Sequence, residues 1–268
     1  MLSLLRECIL SSSAQNQRKK ILVTNDDGIE GEGLKVLVSM LSKVADVYIL
    51  APDSNRSAVS SKISMGKRLS YQKIGENIYT CSGTPADCVI SALTSPLFPF
   101  RFDAVFSGIN AGPNMGTDVI YSGTCAAARQ AVFMGLPGIA VSLESEFLDY
   151  ARTGFNFEPL AEFCARNLDE LISLCSGDVF VSLNATSADS YKEALFASGC
   201  VRDYGDKVSF DGSDLEQEFS GLCESEGISV SGRPDSDYNI ARSGKIAVSL
   251  IYAEPVLKEM NKKLDFKF

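Results

Sequence analysis

Apolar positions along the first half of the chain switch between two periods, and the switches mark out a repeating strand and helix. Residues 20–25 carry the unbroken run Ile21-Leu22-Val23, the pattern of a strand buried on both faces. Leu34, Leu37, Val38, Leu41 and Val44 then recur at helical spacing, and residues 45–51 predict a second strand. Further strands are expected at Asn77–Ser82, Phe102–Phe106, Gly138–Leu143 and Asp178–Leu183. Between them, Thr84-Pro85-Ala86-Asp87 opens a helix with a capping hydroxyl, proline in the first turn and an acid near the positive end of the dipole. Helices are also expected over 123–135 and 158–175.

Such alternation builds an α/β fold: a doubly wound, Rossmann-like three-layer sandwich with a mostly parallel sheet. Past residue 185 the chain turns rich in Ser, Gly, Asp and Glu, with short extended pieces such as 228–231, a strand at 245–252 and a terminal helix near 254–264. The expected organisation is an N-terminal extension (1–19), a catalytic core (20–185) and a smaller β-rich appendage (186–268) with hairpins suited to subunit assembly.

Composition narrows the choice of partners. The chain has 268 residues, is 45% hydrophobic, and carries 34 acidic against 25 basic residues, a net charge of −9. No basic block is present, which argues against nucleic acid and anionic membranes as partners, and no apolar run reaches the length of a membrane span. Eight cysteines occur without a Cys-x-x-Cys pair and mostly within apolar segments, a reduced, cytoplasmic pattern. The absence of histidine removes the commonest general base and transition-metal ligand, leaving chemistry to oxygen ligands, water and carboxylates.

The first strand ends in adjacent carboxylates, Asp26 and Asp27, followed by Gly28. In open α/β sheets ligands bind beyond the carboxyl ends of strands, and two neighbouring acids repel unless a hard cation such as magnesium, manganese or calcium lies between them. Asp-Asp-Gly is equally a turn former. Other strand ends bring Ser57, then Asn110 and Asn114 on a glycine-rich stretch, then Ser122-Gly123-Thr124 at the start of a helix. Individually these are a loop hydroxyl, turn formers and helix caps. Together they resemble neutral oxygen donors beside a carboxylate pair, with a helix N-terminus able to cradle a phosphate. The cluster Arg56, Lys62, Lys67 and Arg68 reads as a solvated face, and Tyr121 is the aromatic nearest the site in sequence.

Four blocks stand in fixed order: Ile21-Leu-Val-Thr-Asn-Asp-Asp-Gly-Ile29, Ala51-Pro-Asp-x-x-Arg-Ser-Ala58, Ser82-Gly-Thr-Pro-Ala-Asp-Cys-Val89, and Ser107 to Gly116 continuing to Tyr121-Ser-Gly-Thr124. In these blocks the chain resembles the SurE family of phosphatases acting on nucleoside 5′-monophosphates. The resemblance implies metal ligands at Asp26, Asp27, Ser57 and Asn110, one Mg²⁺ or Mn²⁺ per subunit, and catalysis centred on Asp26 and Asp27. It also implies a cytoplasmic homodimer or homotetramer with a swapped C-terminal segment. Asn114, Ser122, Gly123 and Thr124 are the expected phosphate binders. Departures fall late in the chain: Leu183-Asn184-Ala185-Thr186-Ser187 lacks the family's proline, and 246–252 lacks its Thr-Pro-Leu.

Three other classes fit less well. A haloacid-dehalogenase phosphatase needs Asp-x-Asp-x-Thr, a receiver-like signalling domain needs an Asp where this chain has Asn110, and a dinucleotide module needs Gly-x-Gly-x-x-Gly after the first strand. Within the hydrolase reading, a broad-specificity phosphomonoesterase or polyphosphatase is the alternative. Attack by water and attack by a carboxylate both stay open.

Overall fold

The structure, a computed structural model, describes residues 18–145, 154–210, 221–225 and 227–256. In chain order the strands are β1 (Lys20–Thr24), β2 (Asp46–Pro52), β3 (Tyr71–Gly75), β4 (Ile78–Cys81), β5 (Ala104–Ala111), β6 (Gly138–Glu144), β7 (Val179–Thr186), β8 (Ala194–Phe196), β9 (Val201–Asp203), β10 (Asp206–Phe210), β11 (Gly221–Ser225), β12 (Ser229–Ser231) and β13 (Ile246–Tyr252). The helices are α1 (Glu32–Leu41), α2 (Pro85–Thr94), α3 (Gly123–Phe133), α4 (Glu158–Arg166), α5 (Leu168–Leu174) and α6 (Asp237–Arg242), with a 3₁₀ turn at Gly116–Ile120.

Nine strands form one sheet in the order β3-β4-β2-β1-β5-β6-β7-β13-β8. The pairs from β4 through β7 are all parallel, while β3 and β13 run antiparallel to their neighbours β4 and β7. The alternation of β1 shows how the layers arise. Ile21 and Val23 pack into one apolar cluster with Leu34, Leu37 and Leu160, and Leu22 packs into a second with Val89, Ala127 and Ala131. Helices therefore cover both faces, the expected three-layer α/β sandwich.

The chain steps outward from β1 to β2 and β4, then returns to β5 on the other side of β1. That reversal opens a crevice between the carboxyl ends of β1 and β5, the place where sheets of this kind bind ligands. Asp26 and Asp27 follow β1, and Asn110 lies at the end of β5.

Several elements differ from the sequence pattern. The helix expected to reach Val44 ends at Leu41, and Val44 is exposed. The strand expected at 102–106 starts at Ala104 and continues through the glycine-containing stretch to Ala111. The expected helix 158–175 breaks at Asn167, whose side chain donates to the Phe163 carbonyl at 2.8 Å. β3 pairs only at the sheet edge and leaves no buried face to set a pattern. Part of the segment after residue 186 belongs to the core sheet, because β13 inserts beside β7 and carries β8 with it. Of the terminal helix expected at 254–264, residues 257 onward lie outside the described residues, as do residues 1–17 of the extension. Among the described residues no helix is long and apolar enough to cross a membrane, and all seven cysteines are free.

Candidate active site

The turn after β1 is built by Asn25 and Gly28. Buried Asn25 donates its amide to the Gly28 carbonyl at 2.8 Å and accepts the Gly28 N–H at 3.2 Å. Gly28 has φ +95°, and a Cβ there would lie 2.9 Å from the Ser54 carbonyl carbon, so only glycine fits. The turn and the carboxylate pair are thus one device: Asn25 and Gly28 close the loop, and Asp26 and Asp27 project from it.

Asp26 is 3% exposed. Its Oδ1 accepts the Thr124 hydroxyl at 2.6 Å and its Oδ2 the Thr124 N–H at 3.2 Å, across 98 residues of sequence. Burial pushes its carboxyl up to about 6; the Thr124 hydroxyl bond opposes this, and the charge of Asp27 adds to it. Asp27 Oδ2 accepts the Ala111 N–H at 3.1 Å, which sets its carboxylate beside the residue following Asn110. Asn110 donates its Nδ2 to the Gly112 carbonyl at 2.8 Å, which leaves the amide oxygen as the end suited to a cation.

Asp26, Ser57, Asn110, Asn114 and Ser122 line one cavity of about 320 Å³. Three of the four expected ligands therefore share a cavity, and Asp27 is held alongside through Ala111. The donor set suits a hard divalent ion: two carboxylates, one raised by burial and by the other's charge, with a hydroxyl and an amide oxygen. No group of three His, Cys, Asp or Glu that could hold a metal occurs among the described residues, so a site here relies on the neutral oxygens as well.

The expected phosphate binders divide. Thr124 is fully buried with both donors committed to Asp26, so it orients the carboxylate and does not face the cavity. The Cys125 N–H is taken by the Ser122 hydroxyl oxygen at 3.0 Å. The positive end of α3 thus serves the chain's own Asp26. Gly123 is what allows this approach, since a Cβ there would sit 2.9 Å from Asp26 Cβ. Ser122, having accepted from Cys125, keeps its O–H as a donor at the cavity wall. Asn114 is anchored by its N–H to Asn184 Oδ1 at 2.9 Å and by Nδ2 to Ser142 Oγ at 2.8 Å; the second Nδ2 hydrogen is what it has to offer a phosphate.

Ser57 lies on a loop with left-handed backbone at two non-glycine residues, Ala58 (φ 57°) and Ser60 (φ 55°), conformations that persist only where surroundings enforce them. The enforcement is visible. The Arg56 N–H donates to the Asp26 carbonyl at 2.6 Å, the Ser60 N–H and hydroxyl bond the Tyr121 and Ile120 carbonyls, and Ser64 donates its N–H and hydroxyl to Asp87, both at 2.8 Å. The Arg56 guanidinium turns to Asp53 and to the Ser82 and Gly83 carbonyls. Asp87 also closes the capping box with Thr84. The Ser82–Val89 block therefore anchors the loop that presents Ser57.

Burial alone would raise Asp87, but the hydrogen bonds from Thr84 and Ser64 outweigh it and hold the carboxyl below its ordinary value. A lowered folded-state pKa stabilises fully above the ordinary carboxylate range and is lost as pH falls through the folded value. Asp87→Asn is accordingly expected to lower unfolding free energy by about 1–3 kcal/mol at pH 7. Urea denaturation should show that difference shrinking below about pH 4; an equal difference at pH 7 and pH 3 contradicts the role.

Asp118 and Tyr204 also line the cavity and were not marked by any sequence pattern. They meet only through folding, because Tyr204 comes from the segment after β9.

Fold and site together define a three-layer α/β protein with an acidic, oxygen-lined cavity at the sheet's topological switch. The sequence model described as Survival protein SurE matches residues 21–204, and the chain belongs to the SurE family. It is 44% identical over 183 residues to the 5′-nucleotidase SurE of Treponema pallidum (strain Nichols), covering 66% of this chain and 96% of that relative. With the 5′-nucleotidase SurE of Citrifermentans bemidjiense it shares 34% identity over 239 residues, covering 88% and 93% of the two chains. The crystal structure of SurE protein from Aquifex aeolicus superposes with a TM-score of 0.76 at 27% identity, covering 88% of this chain and 94% of that one.

Proposed function

We propose that this chain is a divalent-cation-dependent phosphatase that hydrolyses nucleoside 5′-monophosphates. The observation that carries the proposal is the shared cavity of Asp26, Ser57 and Asn110 at the β1/β5 switch, with Asp27 held beside it. The naming of the relatives above as 5′-nucleotidases supports the substrate class.

Asp26 and Asp27 would hold the cation, Mg²⁺ or Mn²⁺, with Ser57 and Asn110 supplying neutral oxygens. When bound, the ion supplies positive charge against the negative charge that grows on the phosphoryl group. The Ser122 hydroxyl and the remaining Asn114 N–H are placed to hold phosphate oxygens, and their fixed anchoring means little reorganisation is needed at the moment of reaction. Both Asp26 oxygens already accept bonds from Thr124, which supports Asp26 as a holder of charge over Asp26 as the attacking group.

The test is phosphate release from a panel of nucleoside 5′-monophosphates, p-nitrophenyl phosphate and tripolyphosphate with Mg²⁺, with Mn²⁺ and with chelator. Turnover of the nucleotides that stops on chelation and returns with either ion is expected. Nucleotide turnover unaffected by chelation removes the metal from the proposal, and turnover of tripolyphosphate alone replaces the substrate class.

A further inference from the structure

The cavity lined by Asp26 is closed in part by the segment that follows β9, which a set of buried contacts holds in place. Tyr204, just past β9, lines the cavity beside Asp118 and Tyr121. Its hydroxyl donates to Asp118 Oδ1 at 2.9 Å. Arg202, almost fully buried, places Nε 3.0 Å from Asp118 Oδ2 and its guanidinium 5.7 Å from the Tyr204 ring centroid, with Glu144 3.9 Å away. The backbone is tied as closely. Thr117 Oγ1 donates to the Arg202 carbonyl and accepts the Arg202 N–H, both at 3.0 Å, while Asp237 accepts the N–H groups of Gly116 and Cys200. At Gly116, φ +51°, a Cβ would fall 1.8 Å from the Cys200 carbonyl oxygen, so the 3₁₀ turn and β9 touch with no room to spare.

Burying an arginine with two carboxylates gains little net stability, because desolvation offsets most of the attraction. What the cluster fixes is position. Its product at the cavity is a tyrosine ring held at both its hydroxyl and its π system, with little freedom left to lose on binding.

We infer that Tyr204 is a specificity-determining residue whose ring stacks on the base of the nucleotide while the phosphate lies against the Asp26 end of the same cavity. The inference rests on the nucleotidase proposal above. A planar ring is the partner a purine or pyrimidine needs, and such stacking tolerates any base, because each presents a π face.

The experiment compares wild type, Tyr204→Ala and Tyr204→Phe on adenosine 5′-monophosphate and on glycerol phosphate, which has no base. Tyr204→Ala should raise KM for the nucleotide about tenfold or more. It should leave kcat on the nucleotide, and kcat/KM on glycerol phosphate, within about twofold. Tyr204→Phe, which keeps the ring, should stay within about threefold of wild type on both. Equal losses on the two substrates, or an unchanged nucleotide KM in Tyr204→Ala, overturn the inference alone. Wild-type protein that hydrolyses glycerol phosphate but not the nucleotide overturns the nucleotidase proposal and the inference together. Thermal midpoints of the three proteins identify a variant that has simply failed to fold, and Tyr204→Phe with nucleotide kinetics of the Ala variant would then overturn the ring's role.

Discussion

Asp27→Asn is expected to lower kcat/KM for a nucleoside monophosphate about a thousandfold, a loss of about 4 kcal/mol of transition-state stabilisation. The amide preserves size and can still accept the Ala111 N–H that now reaches Asp27 Oδ2 at 3.1 Å, so the turn keeps its shape. What disappears is one of the two negative charges proposed to retain the cation. The thermal midpoint should hold or rise, since removing one of two adjacent carboxylates relieves the repulsion that helps push Asp26 up to about 6. Steady-state kinetics at saturating Mg²⁺ with parallel thermal melts check both halves. A variant within tenfold of wild type would separate Asp27 from the chemistry.

The second large effect is expected at a residue that never touches substrate. Thr124→Val keeps the side chain's volume but deletes the hydroxyl that donates to Asp26 Oδ1 at 2.6 Å. From Thr124 the buried carboxylate then keeps the longer N–H bond at 3.2 Å. Losing the group that orients a metal ligand typically costs 10–100-fold in metal affinity, so half-saturating Mg²⁺ should rise by about that factor. The unfolding free energy should fall by about 1–3 kcal/mol at neutral pH. Thr124→Ser should restore both. An unchanged Mg²⁺ dependence in Thr124→Val would mean that the hydroxyl merely fills space.

Much of the fold was legible because β1, β2, β5, β6 and β7 are buried on both faces and read as apolar runs whatever their neighbours. The carboxylate pair was legible for the same reason: two acids directly after such a run stand where a parallel sheet binds its ligand. Thr124 shows where local reading stops. A Thr in the first turn of a helix looks like a cap or an anion site from sequence, and only the fold shows that the anion is Asp26, 98 residues earlier. β3 escaped notice because an exposed edge strand has no buried face to impose a period. Arg202, Asp118, Glu144 and Tyr204 were illegible for a further reason. Arg202, Asp118 and Tyr204 are ordinary polar residues in loops and short elements, Glu144 is the acid that ends the apolar run of β6, and their meaning is the contact among β9, the 3₁₀ turn and the end of β6. β13 was expected as a strand, but its place beside β7 follows from backbone pairing that no side-chain pattern specifies.

Oxygens of Asp26, Asp27, Ser57 and Asn110 are expected to bind one divalent ion together. Crystals soaked in Mn²⁺ and measured for anomalous scattering test it directly. A single strong peak within about 2.0–2.6 Å of an oxygen from each of the four side chains is predicted. A well-soaked crystal with no peak in the cavity, or with its peak elsewhere on the chain, would contradict it.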